Sequence, residues 1–256
     1  MSHEFVQTSQ EGGVLTVVLD RPHRLNALHA PAHVELAAVF DAFEHDSGLR
    51  VAIIRGTGRA FCAGNDLKWQ AEGGSMERPT SGFAGLTLRH NRTKPVIAEV
   101  NGLAFGGGCE IVLAADLAVA ASSARFGLTE VRYGLVPLAG LHHLPRRVAL
   151  KDAMYMLLTG RVISSAEALR MGMINEVVPD EQVAERALTY AKWIVEASPQ
   201  AIAACMELLR QSLKFQDVAE AMSAPAPALD RLRAGEDFAE GPRAFAEGRK
   251  PKWVAP

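Results

Sequence analysis

Two glutamates in apolar, glycine-flanked settings, Glu110 and Glu130, stand twenty residues apart in this chain. A carboxyl group removed from water without a counter-charge has its pKa raised, into the range useful for proton transfer. Two such groups on one pocket can divide acid and base roles between them. The first glutamate follows three consecutive glycines, Gly106, Gly107 and Gly108, at the end of a β-branched run containing Val96, Ile97 and Val100. A strand that feeds a glycine turn and then a helix leaves backbone N–H groups unpaired and pointing outward. Such a turn suits a developing negative charge. A second turn, Ala63-Gly64-Asn65-Asp66, follows another apolar run and leads into another helix. Paired amides stabilise an enolate or a tetrahedral oxyanion, and losing one donor typically costs about 3 kcal/mol. Blander readings compete. Either glutamate can cap a helix or pair with Arg125 or Arg132, and glycines also serve positive φ or close packing. Spacing alone leaves both open.

Other chemistries fit poorly. GGGCE is not GxGxxG and no acid occupies the ribose position, so dinucleotide binding is a weak reading, and no Walker A pattern occurs. His142-His143 are adjacent, so their side chains diverge, and no metal site is expected. Ser122-Ser123 lack a GxSxG context. Cys109 beside the glycine turn can be read as a thiol of lowered pKa or as a small packing residue. The three cysteines are far apart and form no CxxC pair, which points to a reduced, cytoplasmic compartment. Net charge is −2 and basic residues are scattered, so nucleic acid is not an expected partner. The N-terminus lacks the pattern of a signal peptide, and the apolar stretches are interrupted, so no membrane span is expected.

The elements that must position these groups alternate. Residues 14–19 and 51–56 read as buried strands around an amphipathic helix at 32–44, with Pro31 in its first turn. Residues 58–68 read as a turn entering a helix, and 71–82 as a surface loop. A short strand at 117–120 and a loop at Phe126-Gly127 follow. From Lys151 the periodicity is helical, at 151–158, 165–171, 181–196 and 199–214, with a short strand within 174–178. The last 42 residues are weakly apolar, and are expected to pack on the rest of the chain or on a second subunit. Alternating strands and helices predict an α/β fold with parallel strands. Periodicity does not choose between a Rossmann-like sheet and a coiled ββα stack.

Taken together, six motifs resemble the enoyl-CoA hydratase/isomerase family, also called the crotonase superfamily. They are RPHRLNAL (21–28), GRAFCAGNDLK (58–68), KPVIAEVNGLAFGGGCEIVLAAD (94–116), ARFGLTEVRYGLVP (124–137), LTGRVISSAEALRMGMINEVVP (158–179) and EGPRAFAEGRKPKW (240–253). Their order and spacing cover nearly the whole chain. The resemblance implies a superhelix of ββα repeats over residues 1–196 and a C-terminal helical trimerisation region over 197–256, with trimers often pairing into hexamers. It implies an acyl-CoA thioester substrate and no metal or redox cofactor. By resemblance the amides of Asn65 and Gly107 form the oxyanion hole, and Glu110 and Glu130 hold and activate a water that adds at C3. Glu130 also handles the C2 proton. Arg24, Ala27, Ala63, Asp66, Leu67, Lys68 and Gly106 match positions around the CoA thioester. One departure stands out: Leu138-Ala139-Gly140-Leu141-His142-His143 replaces a Gly-Ala-Gly-Gly stretch near the acyl end. The first expectation is therefore a 2-enoyl-CoA hydratase. The alternatives are a double-bond isomerase, a carnitinyl-CoA-type dehydratase, or a non-catalytic acyl-CoA-binding protein.

Overall fold

The computed structural model describes residues 3–254. The chain opens with a hairpin, β1 (Val6–Glu11) and β2 (Val14–Leu19), turned by Gly12-Gly13, both at positive φ. A two-residue glycine turn matches the twist of the strands that it joins. β1 is absent from the sequence expectation because all but its first residue face solvent and are polar, so it carries no apolar alternation. Helix α1 (Ala30–His45) buries Leu36, Ala37, Phe40 and Phe43 along one stripe and has a proline in its first turn.

Three repeats follow. β3 (Val51–Gly56), β4 (Ala60–Cys62) and α2 (Leu67–Ala71) form the first, and β5 (Val96–Val100), β6 (Leu103–Phe105) and α3 (Gly107–Ala114) the second. The third is β7 (Leu117–Ala121) and β8 (Arg125–Gly127), followed by a 3-10 turn at Glu130–Tyr133 and α4 (Leu138–His143). The first strand of each repeat joins one sheet, ordered β1-β2-β3-β5-β7-β10, and the second strand joins another, β4-β6-β8-β9. This alternation is a coiled ββα stack and not a Rossmann-like sheet. β4, β6 and β8 have three residues each, too short for a period-two pattern, which is why the sequence reads 58–68 and 126–127 as loops.

The remaining elements are α5 (Leu150–Thr159), β9 (Ile163–Ser164), α6 (Ser165–Arg170), β10 (Glu176–Val178), α7 (Val183–Glu196), α8 (Pro199–Ser212), α9 (Val218–Ser223), α10 (Pro227–Ala234) and α11 (Glu236–Ala246). The last two helices pack on α8, tied by Ser198 Oγ to Asp237 at 2.6 Å. Trp253 Nε1 donates to the Glu196 carbonyl at 2.8 Å, so the tail is held to the body of the chain. Among the described residues no helix is long and apolar enough to cross a membrane.

All eight residues of α3 are buried, because β5 of one sheet, β4 and β6 of the other, and α4 surround it. Asp116 closes the unit: its carboxylate accepts the Val96 amide at 2.8 Å and meets Arg92 at 2.6 Å, joining the end of α3 to the start of β5. The core thus holds one helix whose N-terminus is glycine and whose fourth residue is an acid.

Candidate active site

The site starts where two glycine turns meet. Gly64 has φ +92°, and a Cβ there would lie 2.7 Å from the Phe105 carbonyl and 3.0 Å from the Gly107 nitrogen. Only a residue without a side chain lets the 63–66 turn descend onto the start of α3. Segment 25–28 braces that turn from the other side. Ala63 donates to Leu25 at 3.0 Å, Leu28 to Gly64 at 2.8 Å, and Asp66 to Leu28 at 2.9 Å. Asn26, fully buried, adds bonds from its amide to the Thr57 and Ala60 carbonyls. The result lays the turn that carries Asn65 onto the start of α3, with Gly64 against the Gly107 nitrogen. Gly107 is the first residue of its helix, so its N–H has no intrahelical partner. Among the described residues neither amide donates to another backbone carbonyl.

Both glutamates reach this corner. Glu110 lies one turn into α3, is 4% exposed, and accepts the Gly140 amide on Oε1 at 2.8 Å. β8 runs beside β6, with the Gly106 amide on the Gly127 carbonyl at 2.8 Å, so the chain leaves β8 directly over the start of α3. Glu130 is delivered there: its Oε1 is 3.2 Å from the place a Cβ on Gly106 would occupy. Glu130 Oε2 is buried and finds no hydrogen-bond partner among the described residues. Neither acid pairs with Arg125 or Arg132, so the surface ion-pair reading fails for both.

Electrostatics separate the two carboxyls. Burial pushes the Glu130 carboxyl up to about 7, with the nearby Glu110 charge adding to the rise. Burial also raises Glu110, but the Gly140 and Ala139 amides and the Arg78 charge pull it back. Burial thus disfavours charge on both groups, and Glu110, held by the two amides, is the better stabilised anion of the pair. A carboxylic acid, a carboxylate and two free amides around one space can move a proton at a carbon next to a carbonyl. The amides hold the enolate charge that forms there.

Other expected site residues fall into two groups. Arg24, Ala27, Ala63, Leu67 and Lys68 gather on the paired 24–28 and 63–68 segments, and Leu67 and Lys68 face solvent. Gly106 lies against the Glu130 carboxyl. The Asp66 side chain is engaged within the fold: it is 5% exposed, pairs with Arg21 at 3.0 Å and caps α2 through the Trp69 amide at 3.1 Å. The Cys109 thiol is fully buried, and burial raises its pKa, so the packing reading holds and a lowered pKa does not. His143 Nε2 donates to the Thr87 carbonyl at 3.0 Å.

Three contributors escape a reading of the sequence. The Gly140 amide comes from the 138–143 stretch, which departs from the family pattern yet still sends a donor to Glu110. Phe83 packs so closely on Gly107 that any Cβ there would overlap its ring. Arg78 lies over that ring at 5.2 Å and acts on both glutamates. Phe83 and Arg78 come from or border a loop without periodicity, so nothing local marks them.

The family model described as Enoyl-CoA hydratase/isomerase matches residues 9–256. The chain belongs to this family. Relatives of the enoyl-CoA hydratase/isomerase chain include the carnitinyl-CoA dehydratase of Proteus mirabilis (strain HI4320), 43% identical over 249 residues, which cover 94% of this chain and 95% of that one. The carnitinyl-CoA dehydratase of Escherichia coli (strain K12) is 42% identical, with 98% of each chain covered. Among solved structures, an enoyl-CoA hydratase from Mycobacterium tuberculosis H37Rv superposes with a TM-score of 0.91 at 36% identity, covering 98% of this chain and 99% of that one. One from Mycobacterium marinum gives 0.92 at 35%, with the same coverage. The α/β ββα superhelix expected for the crotonase fold is therefore shown.

Within this family site, Arg78 provides a direct electrostatic test. Its charge lowers both carboxyl pKa values, so Arg78→Gln raises them. The alkaline fall in kcat/KM then moves to higher pH. A pH–rate profile of the variant in the same buffer checks this, and a limb that stays in place or moves down refutes it.

Proposed function

We propose that this protein is a hydro-lyase that removes water reversibly from a 3-hydroxyacyl-CoA thioester, with carnitinyl-CoA as the first candidate substrate. One observation carries the reaction type: a buried carboxyl tied by an amide and a half-buried one whose inner oxygen has no partner among the described residues, at a corner of two amides that donate to no backbone carbonyl there. The substrate choice draws support from the relatives named carnitinyl-CoA dehydratase.

In dehydration the Glu130 carboxylate takes the C2 proton, and the electron pair passes into the thioester as an enolate. The oxygen of that enolate sits on the Asn65 and Gly107 amides. The enolate pair then forms the C2–C3 double bond as the C3–O bond breaks, and Glu110 in its acid form protonates the departing hydroxyl to water. Hydration is the same path reversed. The pair carries one proton throughout, on Glu110 before dehydration and on Glu130 after it, and hydration starts from the second arrangement, in which Glu110 is the better stabilised anion. Coenzyme A arrives as part of the substrate, and the step needs no redox partner. On this reading Arg24, Ala27, Ala63, Leu67 and Lys68 serve the CoA side, with Arg24 and Lys68 supplying positive charge for its phosphates. The same reading assigns residues 197–256 to trimer contacts, for which Leu213, Met222 and Phe245 offer exposed apolar surface.

Incubation of carnitinyl-CoA with the enzyme, followed by mass spectrometry, is expected to show loss of one water. Absence of turnover for carnitinyl-CoA, for 3-hydroxybutyryl-CoA and for crotonyl-CoA would sink the hydro-lyase reading. A second reading, a general enoyl-CoA hydratase, is favoured by Arg78, whose guanidinium beside both glutamates repels a trimethylammonium group. Turnover of the uncharged thioesters but not of carnitinyl-CoA selects it. Glu110→Gln separates both from one-base isomerisation: hydration and dehydration fall by roughly 10²–10⁴-fold. A Glu110→Gln enzyme that keeps most of its turnover identifies an isomerase.

A further inference from the structure

His33 lies four residues into the turn that starts α1, and the proposed chemistry makes no use of it. It is 1% exposed, and burial, with Arg78 and His29 nearby, lowers its pKa to about 3, so the ring stays neutral. Its Nδ1 accepts the Ala84 amide at 3.1 Å, which puts the ring proton on Nε2, where it has no partner among the described residues. A buried N–H left without an acceptor is destabilising. The bond to Ala84 is thus the polar contact for which this ring is suited.

Ala84 needs that contact. It sits at φ 54°, a left-handed conformation that strains an alanine. Gly82 and Gly85, at φ 83° and 62°, flank the turn, and Phe83 donates its own amide to Thr87 Oγ1 at 2.9 Å. The turn points the Phe83 ring at the first residue of α3, where it fills the space beside Gly107. The His33 ring meets Phe83 edge-on, with centroids 4.5 Å apart.

We infer that His33 is a positioning residue of the oxyanion corner: through Nδ1 it fixes the Ala84 turn, which seats Phe83 against Gly107 and sets where that amide points. This rests on the reading of Gly107 as an oxyanion donor. No proton passes through the ring. Its effect is geometric, and a misdirected donor of this kind costs on the order of tenfold to hundredfold in rate.

The test uses acetoacetyl-CoA, whose enolate form absorbs in the ultraviolet, alongside steady-state kinetics on the intact enzyme. His33→Leu is expected to lower kcat by about tenfold or more with KM little changed. It also weakens the enolate absorbance of bound acetoacetyl-CoA. His33→Asn, whose Oδ1 can accept the Ala84 amide, is expected to restore most of both. Should His33→Leu fail to fold, Phe83→Leu, which keeps the His33 bond and removes the ring, must show the same losses. Wild-type kcat and enolate absorbance in His33→Leu or Phe83→Leu overturn the inference, as does a KM effect alone or a failure of His33→Asn to restore. A wild-type enzyme with neither turnover nor enolate absorbance instead removes the proposed function on which the inference rests.

Discussion

Glu130→Gln is expected to lower turnover by about three orders of magnitude and to leave a protein more stable than the wild type above pH 7. The kinetic loss follows from the role of a general base: glutamine cannot take the C2 proton, and such groups contribute roughly 10²–10⁴-fold. The stability gain follows from the same carboxyl. Burial raises its pKa in the fold to about 7 from an ordinary value of 4.5. Between these values the folded chain keeps a proton that the unfolded chain has released, so stability falls as pH rises through that window. Above pH 7 the folded chain carries a charge in a poorly solvated place, and glutamine removes that penalty. Below about pH 4.5 both forms of the wild type are protonated, and the advantage vanishes. Thermal melts at pH 4.5 and pH 8 check the sign, and a variant less stable than wild type at pH 8 refutes it. The same pKa sets the wild-type profile: kcat/KM declines above about pH 7, tenfold per pH unit, as the pair loses its last proton.

Gly107→Ala is expected to cost about 10²–10³-fold in kcat, the loss typical for one oxyanion donor. A methyl group at this position overlaps the ring of Phe83, which is itself only 2% exposed and cannot swing into solvent. The helix start must therefore shift, and the amide moves with it. Overpacking of this kind also destabilises by about 1–3 kcal/mol, which a melting curve detects. Binding of the CoA portion is expected to survive, because residues 24–28 and 63–68 keep their own backbone pairing. Loss of thioester binding with kcat preserved would show that Gly107 has no part in stabilising charge.

Much of this site is legible in the chain because backbone rules mark it. Gly106–Gly108 after an apolar run announce a helix start with free amides, and an acid inside an apolar helix announces a perturbed carboxyl. The motifs from 21 to 179 then specify the family and the ββα superhelix. Leu36, Phe40 and Phe43 reveal α1 through a period that burial imposes. β1, β4, β6 and β8 stay hidden, since a polar edge strand and three-residue strands leave no alternation to read.

Residue order alone specifies which residue types stand at the site: two glutamates, two glycine turns and the family to which they belong. Packing set which glutamate is the better stabilised anion, because that depends on amides and charges distant in the chain. Gly140 reaches Glu110 from thirty residues away, and Arg78 reaches both acids from a loop. It alone seated Phe83 against Gly107 and His33 behind the turn that holds it. A pKa and the direction of an amide are properties of surroundings, and surroundings are fixed only when the chain packs.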